Sequence, residues 1–208
     1  MSTETLHIES GAQGLQALLA RAVGLDAQAI ARLRQYDPET VEVFVTTPFE
    51  VVAARRVAGT VGRDGASVSA KDLLDTVKDG RDEIGAPRDA SWPGALPPAS
   101  GFQLLDTLPV HVVRDLADKG QALARQFSGP AGPPSSLMKQ TVLTVEADGT
   151  SVDIPMRLIF ACTNLGLIPG FSAPMNIPRH LRVAALGRWV RVDAPFGSVY
   201  HSSRLSLF

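Results

Sequence analysis

The sequence predicts a mixed α+β fold made of two related halves, and two observations carry this prediction. Residues 43–52, VFVTTPFEVV, and residues 190–199, VRVDAPFGSV, share the pattern V-x-V-x-x-P-F-x-x-V, in which Pro-Phe breaks a strand that then restarts. Upstream of each copy lie a Leu-Arg pair and an apolar segment closed by Gly-Leu. We interpret the likeness as a diverged internal duplication, in which each half is a helix followed by a small antiparallel sheet.

The composition is that of an ordinary globular protein. The chain has 208 residues, 45% hydrophobic and 20% charged, which is enough for one large domain or two smaller ones with real cores. A net charge of −1 gives no overall field that would recruit nucleic acid or an anionic membrane. Residues 151–208 carry six arginines against two aspartates, so this end is either a basic binding face or a face neutralised by the acidic middle of the chain.

Cysteine content and apolar runs restrict the cellular setting. A single cysteine excludes an intramolecular disulfide and a thiolate metal cage. The first residues have neither the charged nor the apolar region of a signal peptide, and no apolar run reaches the length of a membrane span. We therefore expect a cytoplasmic protein that does not enter a membrane.

The first half is predicted to cover residues 1–79. A short strand at 5–9 precedes a helix at 11–23, with Ser10 as the N-cap and Gly24 as the stop. Alternating residues then predict a hairpin with one buried face, formed by 30–35 and 41–46. After the Pro-Phe break, Phe49 should turn into the core and a third strand should cover 51–57. A second helix should begin after Ser69 and end near Gly80.

Residues 80–101 are rich in glycine and proline and read as a linker between the halves. Trp92 and Phe102 provide apolar side chains that could hold this segment against a domain surface. The two interpretations are an ordered, docked loop and a lid over a ligand.

The second half is predicted to cover residues 102–208. A strand at 103–106 leads to the longest amphipathic helix, 108–127, whose apolar stripe is Val113, Leu116, Gly120, Leu123 and Phe127. Asp148-Gly149 predicts a hairpin turn. The run 157–165 suits either a strand or a buried helix, and the duplication favours the helix. A hairpin of 180–185 and 189–193 and a last strand at 198–205 complete the half.

The hairpin of 180–185 and 189–193 carries the candidate binding residues. Strand alternation puts five side chains on one face, opposite the apolar residues of the same strands: His180, Arg182, Trp189, Arg191 and Asp193. Arginine and tryptophan are common in recognition surfaces and can stack on each other. The alternative is a solvated sheet face on which arginine stems shield Trp189.

Signatures of catalysis and metal binding are weak throughout the sequence. His111 and Asp115 have the spacing of a polarised pair, but helical geometry turns His111 toward solvent. Cys162 lies in an apolar run without an adjacent base, and the remaining histidines, His7 and His201, have no metal-site spacing. Nucleotide-binding, hydrolase and zinc-peptidase motifs are missing from the sequence. We therefore predict no catalytic residue, no metal and no cofactor.

These observations favour a non-enzymatic binding or assembly protein, which associates with another protein or with itself rather than with a small molecule. The alternative is a small-molecule sensor or an enzyme, with a site between the halves around Arg182, Arg191 and Asp193. A third interpretation is nucleic-acid binding through the basic C-terminal hairpin. Because the chain as a whole is not basic, we do not expect nucleic acid as a partner.

Overall fold

Helices and antiparallel strands alternate along the chain in the structure, a computed structural model that describes residues 2–129 and 133–203. The predicted mixed α+β class is therefore confirmed. The chain folds as two compact units. The first comprises Met1–Pro48 and Val52–Ala99, and the second comprises Phe49–Val51 and Ser100–Phe208.

The first unit combines helices with one antiparallel sheet. Its elements are β1 (Glu4–Ser10), α1 (Ala12–Leu25), β2 (Ile30–Asp37), β3 (Thr40–Thr46), β4 (Val52–Val61), β5 (Ser67–Ser69), α2 (Ala70–Asp79) and β6 (Glu83–Gly85), followed by a 3-10 turn (Asp89–Ser91). The strands pair in the order β5-β2-β3-β4-β1-β6. The predicted first strand, hairpin and third strand are all present. The sequence missed β5 and β6, because strands of three residues are too short to show a period.

The ends of the two helices show where local sequence signals are sufficient. Ser69 caps α2 by accepting a hydrogen bond from the Asp72 N–H at 3.3 Å, and Gly80 ends the helix at φ 64°, both as predicted. The predicted cap and stop of α1 are wrong. Ser10 still pairs with Ala58 in the sheet, so Gly11 makes the corner at φ 89°, and the helix continues to Leu25.

Strand β3 is buried on both faces, whereas alternation had predicted one buried face. Phe44 and Glu42 point to the face that was expected to be exposed, and they are 0% and 2% exposed. Burial of Glu42 is tolerated because Arg34 and Arg56 neutralise its carboxylate, at 2.6 Å and 3.0 Å. The Arg34 guanidinium also covers the Phe44 ring at 4.8 Å.

The glycine- and proline-rich residues 80–99 are ordered and pack within the first unit. Ile84 and Trp92 are 1% and 7% exposed. The Asp89 carboxylate accepts a hydrogen bond from the Ser67 N–H at 2.8 Å, and the Ser67 carbonyl accepts one from the Arg88 N–H at 2.6 Å. These contacts fasten the segment to the edge strand β5.

The second unit contains four further antiparallel strands and a separate hairpin. Its elements are β7 (Gln103–Pro109), α3 (Val110–Phe127), α4 (Ser135–Lys139), β8 (Thr141–Ala147), β9 (Thr150–Pro155), α5 (Met156–Asn164), β10 (His180–Leu186), β11 (Trp189–Ala194) and β12 (Gly197–Ser202). The strand order is β7-β10-β11-β12, and β8 pairs with β9. The hairpin turn at Asp148-Gly149 and the helix at 157–165 are confirmed. The end of the predicted last strand, at residues 204–205, lies outside the described residues.

Helix α3 packs through a different stripe from the predicted one. It begins at Val110, because Pro109 still belongs to β7. Its buried residues are Val110, Val113, Ala117, Gly120 and Ala124, whereas Leu123 and Phe127 are 39% and 67% exposed. A Cβ on Gly120 would lie 2.7 Å from the Met156 sulfur of α5. The close contact of α3 with α5 therefore uses small residues, which turns the two large side chains outward.

Both Pro-Phe breaks form turns before a strand, after β3 and after β11. Phe49, which was expected to turn into the core, is only partly buried, and so is Phe196. The Phe49 ring lies 6.5 Å from the Phe160 ring, and the Phe196 N–H donates to the Leu167 carbonyl at 3.0 Å. Each turn is therefore held by a contact to a residue far away in the sequence.

Replacing Phe44 by alanine should lower the free energy of unfolding by about 3–5 kcal/mol, because the ring is fully buried and its removal leaves a cavity. Phe196→Ala should cost clearly less, since this residue is only partly buried. Urea unfolding of both variants measures the difference. Equal losses for the two would contradict this account of the core.

Candidate functional site

The five predicted binding residues lie on one face of the β10–β11 hairpin. The strand register places Arg182 opposite Asp193, Ala184 opposite Arg191 and Leu186 opposite Trp189. His180 continues the same alternation and pairs with Pro109 of β7. The shared face follows from the two-residue period of a strand. Binding of a ligand or a partner by these residues stays a prediction.

Two of these residues satisfy each other. The Arg191 Nε donates to Asp193 Oδ2 at 3.0 Å, and the Ser198 hydroxyl donates to Asp193 Oδ1 at 2.6 Å. The Arg191 guanidinium also lies 4.6 Å from the centre of the Phe102 ring, which meets Tyr200 edge-on at 5.9 Å. This network occupies the charges of Arg191 and Asp193, two of the residues that were expected to meet a ligand.

Trp189 does not provide an open recognition surface. Its side chain is buried at 5% exposure, and the Arg188 guanidinium lies 5.8 Å from its ring. Its neighbour across the sheet, Ser202 of β12, is also buried. His180 and Arg182 are the exposed members of the predicted set.

A loop between α5 and β10 exposes large apolar side chains that the sequence reasoning missed. Phe171 and Met175 are 91% and 95% exposed. The Arg179 guanidinium donates to the carbonyls of Gly170 and Ala173 at 2.9 Å and 2.8 Å, which holds the base of the loop. The Arg114 guanidinium lies 4.5 Å from the Phe171 ring. We call residues 170–177 the apolar loop.

A second apolar feature lies near the C-terminal end of α3. The outward-turned side chains of this helix and residues around α4 enclose a groove of about 460 Å³, lined by Leu123, Phe127, Pro134, Ser136, Leu137 and Gln140. Leu137 is itself 8% exposed and forms the floor. We call this the α3 groove. Sequence reasoning had placed its two α3 residues in the core, because an amphipathic stripe does not reveal what covers it.

A small polar cleft surrounds the start of α5. It has a volume of about 190 Å³ and is lined by Glu50, Lys139, Pro155, Arg157, His201, Ser202 and Ser203. Arg157 is 5% exposed, and its Nη1 bonds to the Glu50 carboxylate and to the Phe49 carbonyl, the latter at 3.3 Å. We call this the Arg157 cleft. The sequence signal that could have found it is the single charged residue in the otherwise apolar run 156–162.

Two groups in the Arg157 cleft titrate away from their ordinary values. The hydrogen bond from Arg157 holds the pKa of the Glu50 carboxyl below its usual range, and the charges of Arg157 and Lys139 act in the same direction. Burial lowers the pKa of His201, and the positive charge of Arg157 adds to this effect. His201 is therefore a neutral ring near pH 7.

Other chemical groups offer little reactivity. Cys162 is 1% exposed, and burial raises the pKa of its thiol to about 12, so the nucleophilic thiolate does not form near neutral pH. Within residues 2–129 and 133–203, no cluster of three histidine, cysteine or acidic side chains could hold a metal ion. In the same ranges, no helix is long and apolar enough to cross a membrane.

Lowering the pH from 7.5 to 5.5 should destabilise the wild-type protein more than His201→Gln. The unfolded histidine takes up a proton near its ordinary pKa of 6.5, whereas the folded one resists protonation, so acid favours unfolding. Urea unfolding at several pH values measures this dependence. His7→Gln, which removes an exposed histidine of β1, serves as the control. Identical pH slopes for wild type and His201→Gln would contradict the assignment.

Solved structures with a similar fold include DNA polymerase III beta subunits. A putative beta subunit from Eubacterium rectale has a TM-score of 0.56 and 10% identity. The match covers 97% of this chain and 64% of the Eubacterium rectale chain. The polymerase III beta protein of Caulobacter crescentus has a TM-score of 0.56 and 9% identity. The match covers 96% of this chain and 64% of the Caulobacter protein. The griselimycin-bound DnaN sliding clamp of Pseudomonas aeruginosa has a TM-score of 0.55 and 12% identity. The match covers 95% of this chain and 64% of the clamp chain. The chain thus spans less than two thirds of these proteins, and the likeness shows the fold.

Sequence comparison places the chain in a family. No curated protein sequence matches it. Residues 1–94 match a domain of unknown function, DUF8010. Residues 97–206, more than half of the chain, match another domain of unknown function, DUF8185. The protein therefore belongs to the DUF8185 family.

Proposed function

We propose that this protein is a non-enzymatic assembly module whose copies associate by docking the apolar loop of one chain into the α3 groove of another. The observation that carries the proposal is the almost complete exposure of Phe171 and Met175. Two large, exposed apolar side chains on one short loop are typical of an interaction site, and phenylalanine and methionine are enriched at such sites.

The apolar loop is prepared for binding before a partner arrives. Internal turns run from the Ala173 N–H to the Gly170 carbonyl and from the Ile177 N–H to the Pro174 carbonyl, both at 3.1 Å. The clasp of Arg179 closes the base. Prolines within and beside the loop restrict the backbone further. Little conformational entropy is then lost when the loop docks.

The α3 groove suits the apolar loop in size and chemistry. Its volume of about 460 Å³ exceeds that of a phenylalanine and a methionine side chain together, and its lining is mostly apolar. The groove and the loop belong to the same unit and hence to every copy of the chain. The contact would therefore be either reciprocal in a twofold dimer or head-to-tail between successive copies.

The fold comparison supports an interaction role of this general kind. The similar structures are polymerase subunits and sliding clamps, and a subunit is by definition part of a larger assembly. We extend only that general role to this chain, because the identities are 10% and 12%. The cytoplasmic location stays a prediction.

The structure gives less support to the two alternative functions. A small-molecule site around Arg182, Arg191 and Asp193 would need free charges, yet Arg191 and Asp193 pair with each other. A nucleic-acid surface would need a cluster of open arginines or basic helices. Helix α2 carries two lysines against three aspartates, and α3 carries three basic residues against two aspartates.

We also propose that two segments of the chain arose by internal duplication. Both run strand, helix and then a three-stranded meander: β1-α1-β2-β3-β4 and β9-α5-β10-β11-β12. The Pro-Phe turn precedes the last strand in each. They differ in that β1 joins its own meander through β4, whereas β9 pairs with β8. The sequence-based division into 1–79, a linker at 80–101 and 102–208 remains part of this proposal.

The double substitution Phe171→Ser and Met175→Ser should weaken self-association at least about tenfold, because each buried apolar side chain contributes about 1.5–3 kcal/mol. Leu123→Ser with Phe127→Ser should have the same effect from the other side of the contact. Sedimentation equilibrium over a range of concentrations measures the association, and its stoichiometry distinguishes a dimer from head-to-tail chains.

Leu25→Ser is the matched control for this experiment, because Leu25 is 38% exposed at the end of α1, outside both the loop and the groove. Its association should equal that of the wild type. A wild-type protein that stays monomeric at every concentration would reject self-assembly. Loss of association in the control as well would reject the assigned surfaces.

The protein should show no saturable binding to a short DNA duplex tighter than about 10⁻⁴ M at physiological salt, the weak end of non-specific binding. Three of the four arginines near the C-terminal hairpin already have partners: Arg179, Arg188 and Arg191. Fluorescence anisotropy of a labelled duplex measures this. Micromolar binding that weakens with salt and is lost in Arg182→Ala would restore the nucleic-acid interpretation.

A further inference from the structure

The ion pair in the Arg157 cleft is asymmetric. The side chain of Arg157 is 6% exposed, whereas that of Glu50 is 61% exposed. A buried guanidinium needs an anion permanently, because an unpaired buried charge is strongly unfavourable. An exposed glutamate, in contrast, can leave for water at little cost. The cleft thus holds a fixed cation and a replaceable anion.

Polar groups around Arg157 lack partners. Ser202 is 1% exposed, and its Oγ has no hydrogen bond within the described part of the chain. The same holds for the buried Nδ1 of His201, and both residues line the cleft. Both bonds of Arg157 to described residues use Nη1. Since buried polar atoms are almost always paired, the Ser202 hydroxyl and the His201 Nδ1 are suited to bind a polar ligand.

The start of α5 adds a favourable field for an anion. Pro155 occupies the N-cap without a capping side chain, and the first turn contains no acidic residue. The positive end of the helix dipole is therefore not neutralised within its own turn. Lys139, at the end of α4, lines the same cleft from the other side. Oxyanions commonly bind where such a helix end meets basic side chains.

The backbone of Glu50 also indicates a special role. Its φ of 56° lies in the left-handed region, which is unfavourable for a residue with a Cβ. Such strain persists only where the surroundings enforce it, and it concentrates at functional sites. Here the strained turn delivers a carboxylate to Arg157.

From these observations we propose that the Arg157 cleft is a binding site for a small oxyanion, a carboxylate or a phosphate, held by Arg157, Lys139 and Ser202. Glu50 supplies an internal carboxylate that occupies Arg157 until the ligand displaces it. The volume of about 190 Å³ equals about six waters at 30 Å³ each, which suits inorganic phosphate or a short carboxylate. This site is independent of the proposed self-association.

Calorimetric titration in a chloride buffer tests the site, with inorganic phosphate and succinate as separate ligands. We expect saturable binding of at least one of them by the wild type. Glu50→Gln should bind at least about tenfold more tightly, because a competing internal ligand reduces the apparent affinity. Glu39→Gln, which removes an exposed carboxylate from the β2–β3 turn, should bind as the wild type does.

A second pair of variants avoids disturbing the buried charge. Ser202→Ala should weaken binding several-fold without loss of thermal stability, because its hydroxyl has no partner among the described residues. Ser67→Ala removes an equally buried, unpaired hydroxyl of β5 and should leave binding unchanged. Binding of phosphate alone or succinate alone would support the site and identify its ligand chemistry. Failure of both ligands to bind wild type and Glu50→Gln would overturn the proposal, as would equal affinities for Glu50→Gln and Glu39→Gln.

Discussion

The carboxylate of Glu42 is the contact on which the first unit depends. It lies on β3 and bonds to Arg34 of β2 and Arg56 of β4, so one buried charge links three neighbouring strands. Arg34 continues the network by donating to the Pro97 carbonyl at 2.5 Å, which fastens the glycine- and proline-rich segment. Because this charge is neutralised in place, β3 can be buried on both faces and Phe44 can fill the space beside it. The same polar contact therefore sets the sheet, the core and the course of the following segment.

Elements fixed by local chemistry were predictable from the sequence, and those fixed by distant packing were not. Helix α2 has its serine cap and glycine stop within a dozen residues, and the β8–β9 hairpin has its Asp-Gly turn. The exposure of Leu123 and Phe127 depends instead on Gly120, which lets α3 approach Met156 far along the chain. Likewise Ser10 was a plausible cap in isolation, and only its pairing with Ala58 shows that it ends a strand.

The candidate sites divide in the same way. Strand alternation predicts that Arg182, Arg191 and Asp193 share a face. The hydrogen bond between Arg191 and Asp193 depends on side-chain rotamers, which the sequence does not reveal. The Arg157 cleft gathers residues from positions 50, 139, 157 and 201–203, which no spacing rule connects. The exposure of Phe171 and Met175 could not be predicted either, because in the sequence they are ordinary apolar residues of a loop with prolines. Sequence patterns gave the scaffold, and tertiary contacts decided which of its side chains are free to bind.

The exposure of the apolar loop has a chemical consequence. The thioether of Met175 is open to peroxide, with 95% of the residue exposed, whereas Met156 beneath α3 is 3% exposed and shielded. Oxidation to the sulfoxide turns a flexible apolar side chain into a polar one. Because Met175 supports no core packing, that change would leave the fold intact and alter only the surface it presents. The oxidation state of a single sulfur atom thereby sets how apolar the tip of this loop is.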